Sequence, residues 1–192
     1  MRRKEKLVCG VGINDLNRPV VQKVLSGVIR CPIYERWRSM LVRCYDKTYH
    51  SSERYSDCSV IDEWLKLSNF EGWMICQKWE GRQLDKDILF PGNKLYSPET
   101  CVFIDDNLNK FLTDSEAARG ELPLGVARYR NTGKYTAQCC NPFEGGSRHL
   151  GIFDTVEEAH RAWKLAKHRY ALRFSDLQDD TRVAEALRKR YI

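Results

Sequence analysis

QLDKDILFPGNKLYSPETCVFIDDNLNKFL, running from Gln83 to Leu112, decides the fold of the first half of the chain. Leu84-Asp85-Lys86-Asp87-Ile88 has an apolar, charged and β-compatible rhythm. Phe90 to Asn93 supplies Pro and Gly for a reversal, and Cys101-Val102-Phe103-Ile104 reads as a second strand. Asp105 and Asp106 suit a helix start, and Leu108, Phe111 and Leu112 share one face at helical spacing. The expectation is a strand, loop, strand, helix unit, with Asp85 and Asp87 near one end and Asn107 and Asn109 on the helix.

Two carboxylates and an amide brought together by such a unit are hard oxygen donors able to hold a divalent cation against a phosphate. Gly92-Asn93-Lys94-Leu95, then Tyr96-Ser97-Pro98-Glu99-Thr100-Cys101-Val102-Phe103-Ile104 and Asn109, resemble the second half of the HNH, or ββα-metal, nuclease motif of phage homing endonucleases. In that family a His or Asp ends the first strand, a Pro-Glu-Asn turn precedes the second, and an Asn or His on the helix completes the metal site. The resemblance implies Asp85 or Asp87 at the first position and Asn109, eleven residues beyond Pro98, at the last. It implies Mg2+ as the default metal, with Mn2+ as a substitute, held by Asp85, Asp87 and Asn109.

The chain departs from that pattern at two points. Lys86 stands between the aspartates where a histidine base is usual, and Thr100 stands where the turn has its central Asn. A lysine of ordinary pKa, about 10.4, is a poor base at neutral pH. Lys86 is therefore expected to neutralise phosphate charge while a metal-bound water attacks. His50 is the candidate for a displaced general base. A bland reading of Asp85-Lys86-Asp87 as a solvated edge strand with paired charges competes with this one.

Composition sets wide bounds. A chain of 192 residues with 42% hydrophobic and 30% charged content suits one large domain or two small ones. No apolar run approaches the ~20 residues needed to cross a bilayer. The start, Met1-Arg2-Arg3-Lys4-Glu5-Lys6, leads into no signal-like apolar core. The expectation is a cytosolic protein without a membrane partner, in the host cytosol if phage-encoded. A net charge of +6 permits nucleic acid without requiring it. The 8 cysteines include no C-x-x-C pair and only Cys139 and Cys140 are adjacent, so buried reduced thiols rather than zinc are expected.

The segment up to Gly27 reads as an irregular or short-stranded arm with a basic start. From Pro32, Ile33, Trp37, Met40, Leu41 and Cys44 recur at spacings of three and four and predict a helix. A second helix is expected from Ile61 to about Lys78, with Trp64, Leu67, Phe70 or Trp73, and Met74 inward. Aromatics at helical spacing indicate core rather than a base-stacking platform. Tyr34 to Cys44 and Tyr55 to Trp73 are also similar to the N-terminal part of those phage HNH proteins.

Thr113 to Glu121 is small and polar, carries Gly120 and precedes Pro123, which marks a domain boundary. From Leu124 the chain switches to period two. Val126, Arg128 and Arg130 share a parity, 131–134 turns, Tyr135 to Cys139 is a second strand, 141–146 turns again, and Arg148 to Phe153 is a third. Thr155 with Glu158 makes a capping box, followed by Ala159, Ala162 with Trp163, Ala166 and Tyr170 as a stripe suited to a sheet. Gly125-Val126, Arg128, Arg130, Gly133-Lys134-Tyr135, Ala137, Leu150-Gly151-Ile152-Phe153-Asp154-Thr155, Glu157-Glu158-Ala159, Ala162 and Ala166 resemble the AP2 DNA-binding domain. A β-ribbon fits the major groove and presents alternate side chains to base edges or phosphates. Arg128, Arg130, Lys134, Tyr135, Gln138 and Arg148 are the expected contacts to double-stranded DNA.

The sequence thus leads to an α+β protein: an HNH-like ββα-metal nuclease domain braced by helices over 1–113, a linker over 114–122, an AP2-like three-stranded antiparallel sheet packed on one helix over 123–174, and a helical tail over 175–192. The resemblances imply a metal-dependent DNA endonuclease of the homing type. A catalytically inactive DNA-binding regulator is the alternative, and the positive charge argues against a DNA mimic. One ββα site per chain implies one nick per active site and is compatible with a monomer.

Overall fold

The computed structural model describes residues 7–46, 48, 55, 57–113 and 121–192. The fold is α+β, built from helices and several small sheets, and it divides into two compact units, Met1–Asp105 and Asp106–Ile192. The sequence places the helix after Asp105 with the first half and the boundary at 114–122. Here that helix is grouped with the second unit.

The first unit begins with an arm that bridges Val8 to Gly12 and leads into an antiparallel ribbon, β1 (Val21–Val24) and β2 (Gly27–Arg30). Pro32 at the start of α1 (Pro32–Tyr45) suits a first turn whose N–H groups have no helical acceptor. Trp37, Met40, Leu41 and Cys44 are its buried face, as the three-four spacing predicts. Gly12 lies so close to this helix that a Cβ there would stand 2.3 Å from Leu41.

The expected helix from Ile61 to Lys78 is two pieces, a 3-10 turn at Asp62–Leu65 and α2 at Leu67–Met74. Lys66 between them is extended, with φ −91 and ψ 128. The cause is a tertiary pairing: Ile13 N–H donates to the Leu65 carbonyl at 2.8 Å, and Leu67 N–H donates to the Ile13 carbonyl at 3.0 Å. The chain exchanges helical hydrogen bonds for bridge hydrogen bonds at that point.

The core of this unit is aromatic. Trp64 meets Phe70 edge-on at 5.1 Å and Trp73 stacks on Phe103 at 5.6 Å, while Trp37 Nε1 donates to the Trp64 carbonyl at 2.7 Å. These rings are core, as their spacing predicts, and Trp37 and Trp64 are buried. Around them, β3 (Ser59–Val60) pairs in parallel with β5 (Leu95–Tyr96), and β4 (Gln83–Asp85) pairs antiparallel with β6 (Val102–Ile104).

The second unit opens with α3 (Asp106–Leu112), whose buried Leu108 and Phe111 follow the expected face. Phe111 stands 5.0 Å from Phe174, Lys167 Nζ donates to the Phe111 carbonyl at 2.6 Å, and Asn107 Nδ2 donates to the Pro142 carbonyl at 2.9 Å. Then come β7 (Val126–Tyr129), β8 (Lys134–Cys140) and β9 (Ser147–Phe153) in one antiparallel sheet of order β7-β8-β9. All three strands pack on α4 (Val156–Ser175). Thr155 and Glu158 form the predicted capping box at its start. A last helix, α5 (Thr181–Lys189), is capped by Asp180 and buries Val183, Ala184 and Leu187. No helix among the described residues is long and apolar enough to cross a membrane.

Candidate functional site

The strand expected to run to Ile88 ends at Asp85, which pairs with Val102. The carboxylate of Asp85 is the reason: its Oδ1 accepts the backbone N–H groups of Asp87 at 2.8 Å and Ile88 at 2.7 Å. An Asp that caps its own following residues offers the backbone a turn in place of the ladder. Asp85 thereby lifts Asp87 out of the sheet, and the Asp87 side chain is 45% exposed.

Lys86 goes the other way. It is only 4% exposed, and its Nζ donates to Asp87 Oδ1 at 2.7 Å and to the Asn93 carbonyl, beneath the Tyr96 ring at 5.9 Å. Asn93 answers by donating Nδ2 to the Lys86 carbonyl at 3.0 Å and to the Leu95 carbonyl at 2.6 Å, while its Oδ1 accepts Leu95 N–H at 3.1 Å. The ammonium expected to neutralise phosphate charge is thus engaged within the loop.

Thr100 closes the next turn. Its Oγ1 donates to the Leu95 carbonyl at 2.7 Å and accepts Ser97 N–H at 3.2 Å, and Ser97 Oγ accepts Thr100 N–H at 3.3 Å. A hydroxyl at this position, where the family pattern carries Asn, still pins the turn before β6. Beneath this loop, burial pushes the Cys44 and Cys101 thiols up to about 12. Burial also raises the Tyr96 phenol, and a hydrogen bond from Ser97 holds the exposed Glu99 carboxyl below its usual range. The eight cysteines are all free, and Cys44, Cys58, Cys101 and Cys139 are buried, as their apolar surroundings in the sequence predict.

Of the remaining nuclease candidates, Asn109 belongs to the second unit, on α3, where its carbonyl accepts Thr113 Oγ1 at 2.8 Å. His50 lies outside the described residues. Asp85 and Asp87 are carboxylates of the kind Mg2+ or Mn2+ takes, with Asp87 open to solvent, so the pair fits such an ion in donor type. Among the described residues, no three His, Cys, Asp or Glu side chains converge on one ion position.

The C-terminal sheet has two faces, and register tells them apart. Ala137 and Cys139 are buried on the α4 side, since neighbours two apart share a face. Tyr135 and its partner Arg128 share that parity, and Arg128 lies 5.9 Å from the Tyr135 ring near the strand ends. Arg148, opposite Cys139, also has this parity, although it is exposed. Lys134 and Gln138 alternate to the opposite face, Lys134 paired with Asp154 at 2.9 Å. Arg130 is in neither set: with φ 48 it sits in the turn after β7, its guanidinium 5.3 Å from the Tyr129 ring.

The outer face therefore contains residues that sequence alternation missed. Gln138 stands opposite His149, Tyr129 opposite Lys134, and Cys140 opposite Ser147. His149 Nδ1 and Thr136 Oγ1 lie 3.2 Å apart, and Ser147 Oγ donates to Gln138 Oε1 at 3.4 Å. The signal was displaced by the register shift at Ala137/Gln138, which changes the parity of β9 midway.

No protein-family model matches the chain, and no curated protein or solved structure matches it either.

Proposed function

We propose that the chain is a metal-dependent DNA endonuclease of the homing type, HNH-like in its first unit and guided to double-stranded DNA by an AP2-like second unit. The observation that carries the reading is Asp85 ending a strand of an antiparallel hairpin while its own carboxylate turns Asp87 outward. Two oxygen-donor side chains are thereby presented at the rim of one hairpin, next to a turn closed by Thr100.

Asp85 and Asp87 would hold the divalent ion, Mg2+ by default. Such an ion, when bound, neutralises charge on a scissile phosphate and on the leaving oxygen. The chain's own contribution is positional. Asp85 fixes the backbone of Asp87, Asn93 and Thr100 fix the two ends of the loop, and Lys86 balances the Asp87 charge from beneath. His50 is the base the sequence offers.

The second unit supplies the DNA contact. A three-stranded sheet backed by one helix leaves a free face with Gln138, His149 and Lys134, chemistry suited to base edges and phosphates. A host cytosol is the compartment this reading implies.

A non-catalytic DNA-binding regulator is the second reading, favoured by one feature. The Lys86 ammonium already sits between the Asp87 carboxylate and the Asn93 carbonyl, where it serves as an internal cation. Supercoiled plasmid incubated with the full chain separates the two: nicking in Mg2+ that stops in EDTA supports the nuclease, and metal-indifferent binding without nicking supports the regulator.

A further inference from the structure

The ribbon β1–β2 has every strand residue exposed, on both of its faces. Its base is tied down by the buried Val20, whose carbonyl accepts Cys31 N–H at 2.9 Å. Four residues per strand carry the tip about 13 Å from that base. At the tip, Leu25 is wholly exposed, and Val24, Val28 and Ile29 behind it are also exposed. The two-residue turn and the anchored base fix the register of the ribbon.

Charge gives the partner. From Leu16 to Tyr34 the chain carries Arg18, Lys23 and Arg30 and no Asp or Glu. Val21 pairs with Arg30 and Lys23 with Val28, so one face of the ribbon alternates apolar and cationic side chains. Arg30 lies 3.9 Å from Glu35 in an exposed pair, which is worth little and yields to a phosphate. A second copy on the same face would bring Lys23 and Arg30 of both chains together, so self-association through that face is opposed by like charge. Gln22 is the one neutral hydrogen-bonding side chain on the strands, too little to read base edges. An apolar tip between flanking cations suits an unstacked base step in the minor groove, where apolar wedges kink the duplex.

We propose that this ribbon is a second DNA-binding element, entering the minor groove with Leu25 as the wedge and Lys23 and Arg30 on the flanking phosphates. The proposal rests on the DNA reading above and adds a contact and a deformation that the C-terminal sheet does not provide.

The test uses the full chain on closed-circular plasmid relaxed by a metal-independent type I topoisomerase in EDTA, which keeps the substrate uncut, together with salt-titrated binding to a mixed-sequence duplex. Wild type changes the linking number. Leu25→Ser abolishes that change and weakens binding about tenfold, Leu25→Met preserves both, and Lys23→Gln lowers the salt slope by about one. Leu25 is fully exposed, so its variants keep the fold. Wild-type binding with the linking number of the protein-free control overturns the wedge while leaving the DNA reading intact. No binding at any salt overturns both, and a dimer that Leu25→Ser converts to monomer reassigns the ribbon to self-association and overturns the proposal.

Discussion

Lys86 and Asn93 hold one another across the loop between β4 and β5: the Lys86 ammonium donates to the Asn93 carbonyl, and the Asn93 amide donates back to the Lys86 carbonyl at 3.0 Å. The pair makes the Asp85 to Asn93 segment a rigid platform for Asp87, which also binds the ammonium at 2.7 Å. Lys86→Met keeps the stem and removes the charge, leaving the Asn93 carbonyl without this donor. The expected loss of stability is about 1–3 kcal/mol, read from urea unfolding midpoints. An unchanged midpoint would show that the ammonium contributes nothing to the loop.

Gly125 makes a comparable demand on the second unit. Its φ is 73, and a Cβ there would stand 1.9 Å from the Trp163 ring. Gly125→Ala therefore combines left-handed backbone strain with a clash against α4, and about 1–3 kcal/mol of destabilisation is expected in thermal unfolding. Wild-type stability would mean that Trp163 moves aside freely.

The buried thiols predict the alkaline limit. Burial holds Cys44 and Cys101 protonated to about 12, whereas an unfolded thiol ionises near 9.0. Between those values the native state keeps protons that the unfolded state has lost, so stability falls as pH rises through that window. Unfolding midpoints at pH 10 lie below those at pH 8, and iodoacetamide labels the exposed Cys76 and Cys140 before Cys44 or Cys101. Early labelling of Cys101 would contradict the packing beneath β6.

On the C-terminal sheet, Gln138 and His149 are expected to read bases and Arg130 to bind phosphate. Gln138→Ala should cost about 1–3 kcal/mol on the preferred sequence and relax preference at one position. Arg130→Ala should weaken binding to all duplexes alike and lower the salt slope by about one. The reverse pattern would move base readout to the turn after β7.

Much of this architecture is legible in the sequence because local rules and tertiary packing agree. Trp37 to Cys44 announces α1, Thr155 with Glu158 announces α4, and 126–153 announces three strands. The missed features are settled by residues distant in sequence or by exceptions to alternation. Lys66 breaks a helix because Ile13 pairs with its neighbours. Asp85 ends a strand because its carboxylate competes for two N–H groups. The short-stranded arm expected up to Gly27 runs on to Arg30 as the β1–β2 ribbon, whose end no hydrophobic alternation marks because it has no buried face. α3 packs with its own unit through Phe111 on Phe174 and Asn107 on Pro142, contacts no local window contains. At the candidate site, the inward turn of Lys86 is not legible, because an isolated charged residue is expected at the surface.

The most direct measurement compares wild type and Asp87→Asn on supercoiled plasmid in Mg2+, with DNA affinity determined in parallel in EDTA. Asp87 is half exposed and Asn keeps its shape, so the fold and the affinity are expected to persist. The account predicts metal-dependent nicking by wild type and at least a hundredfold loss, about 2.7 kcal/mol or more in the barrier, in the variant. Equal nicking by both proteins, or none by either despite firm binding, would contradict it.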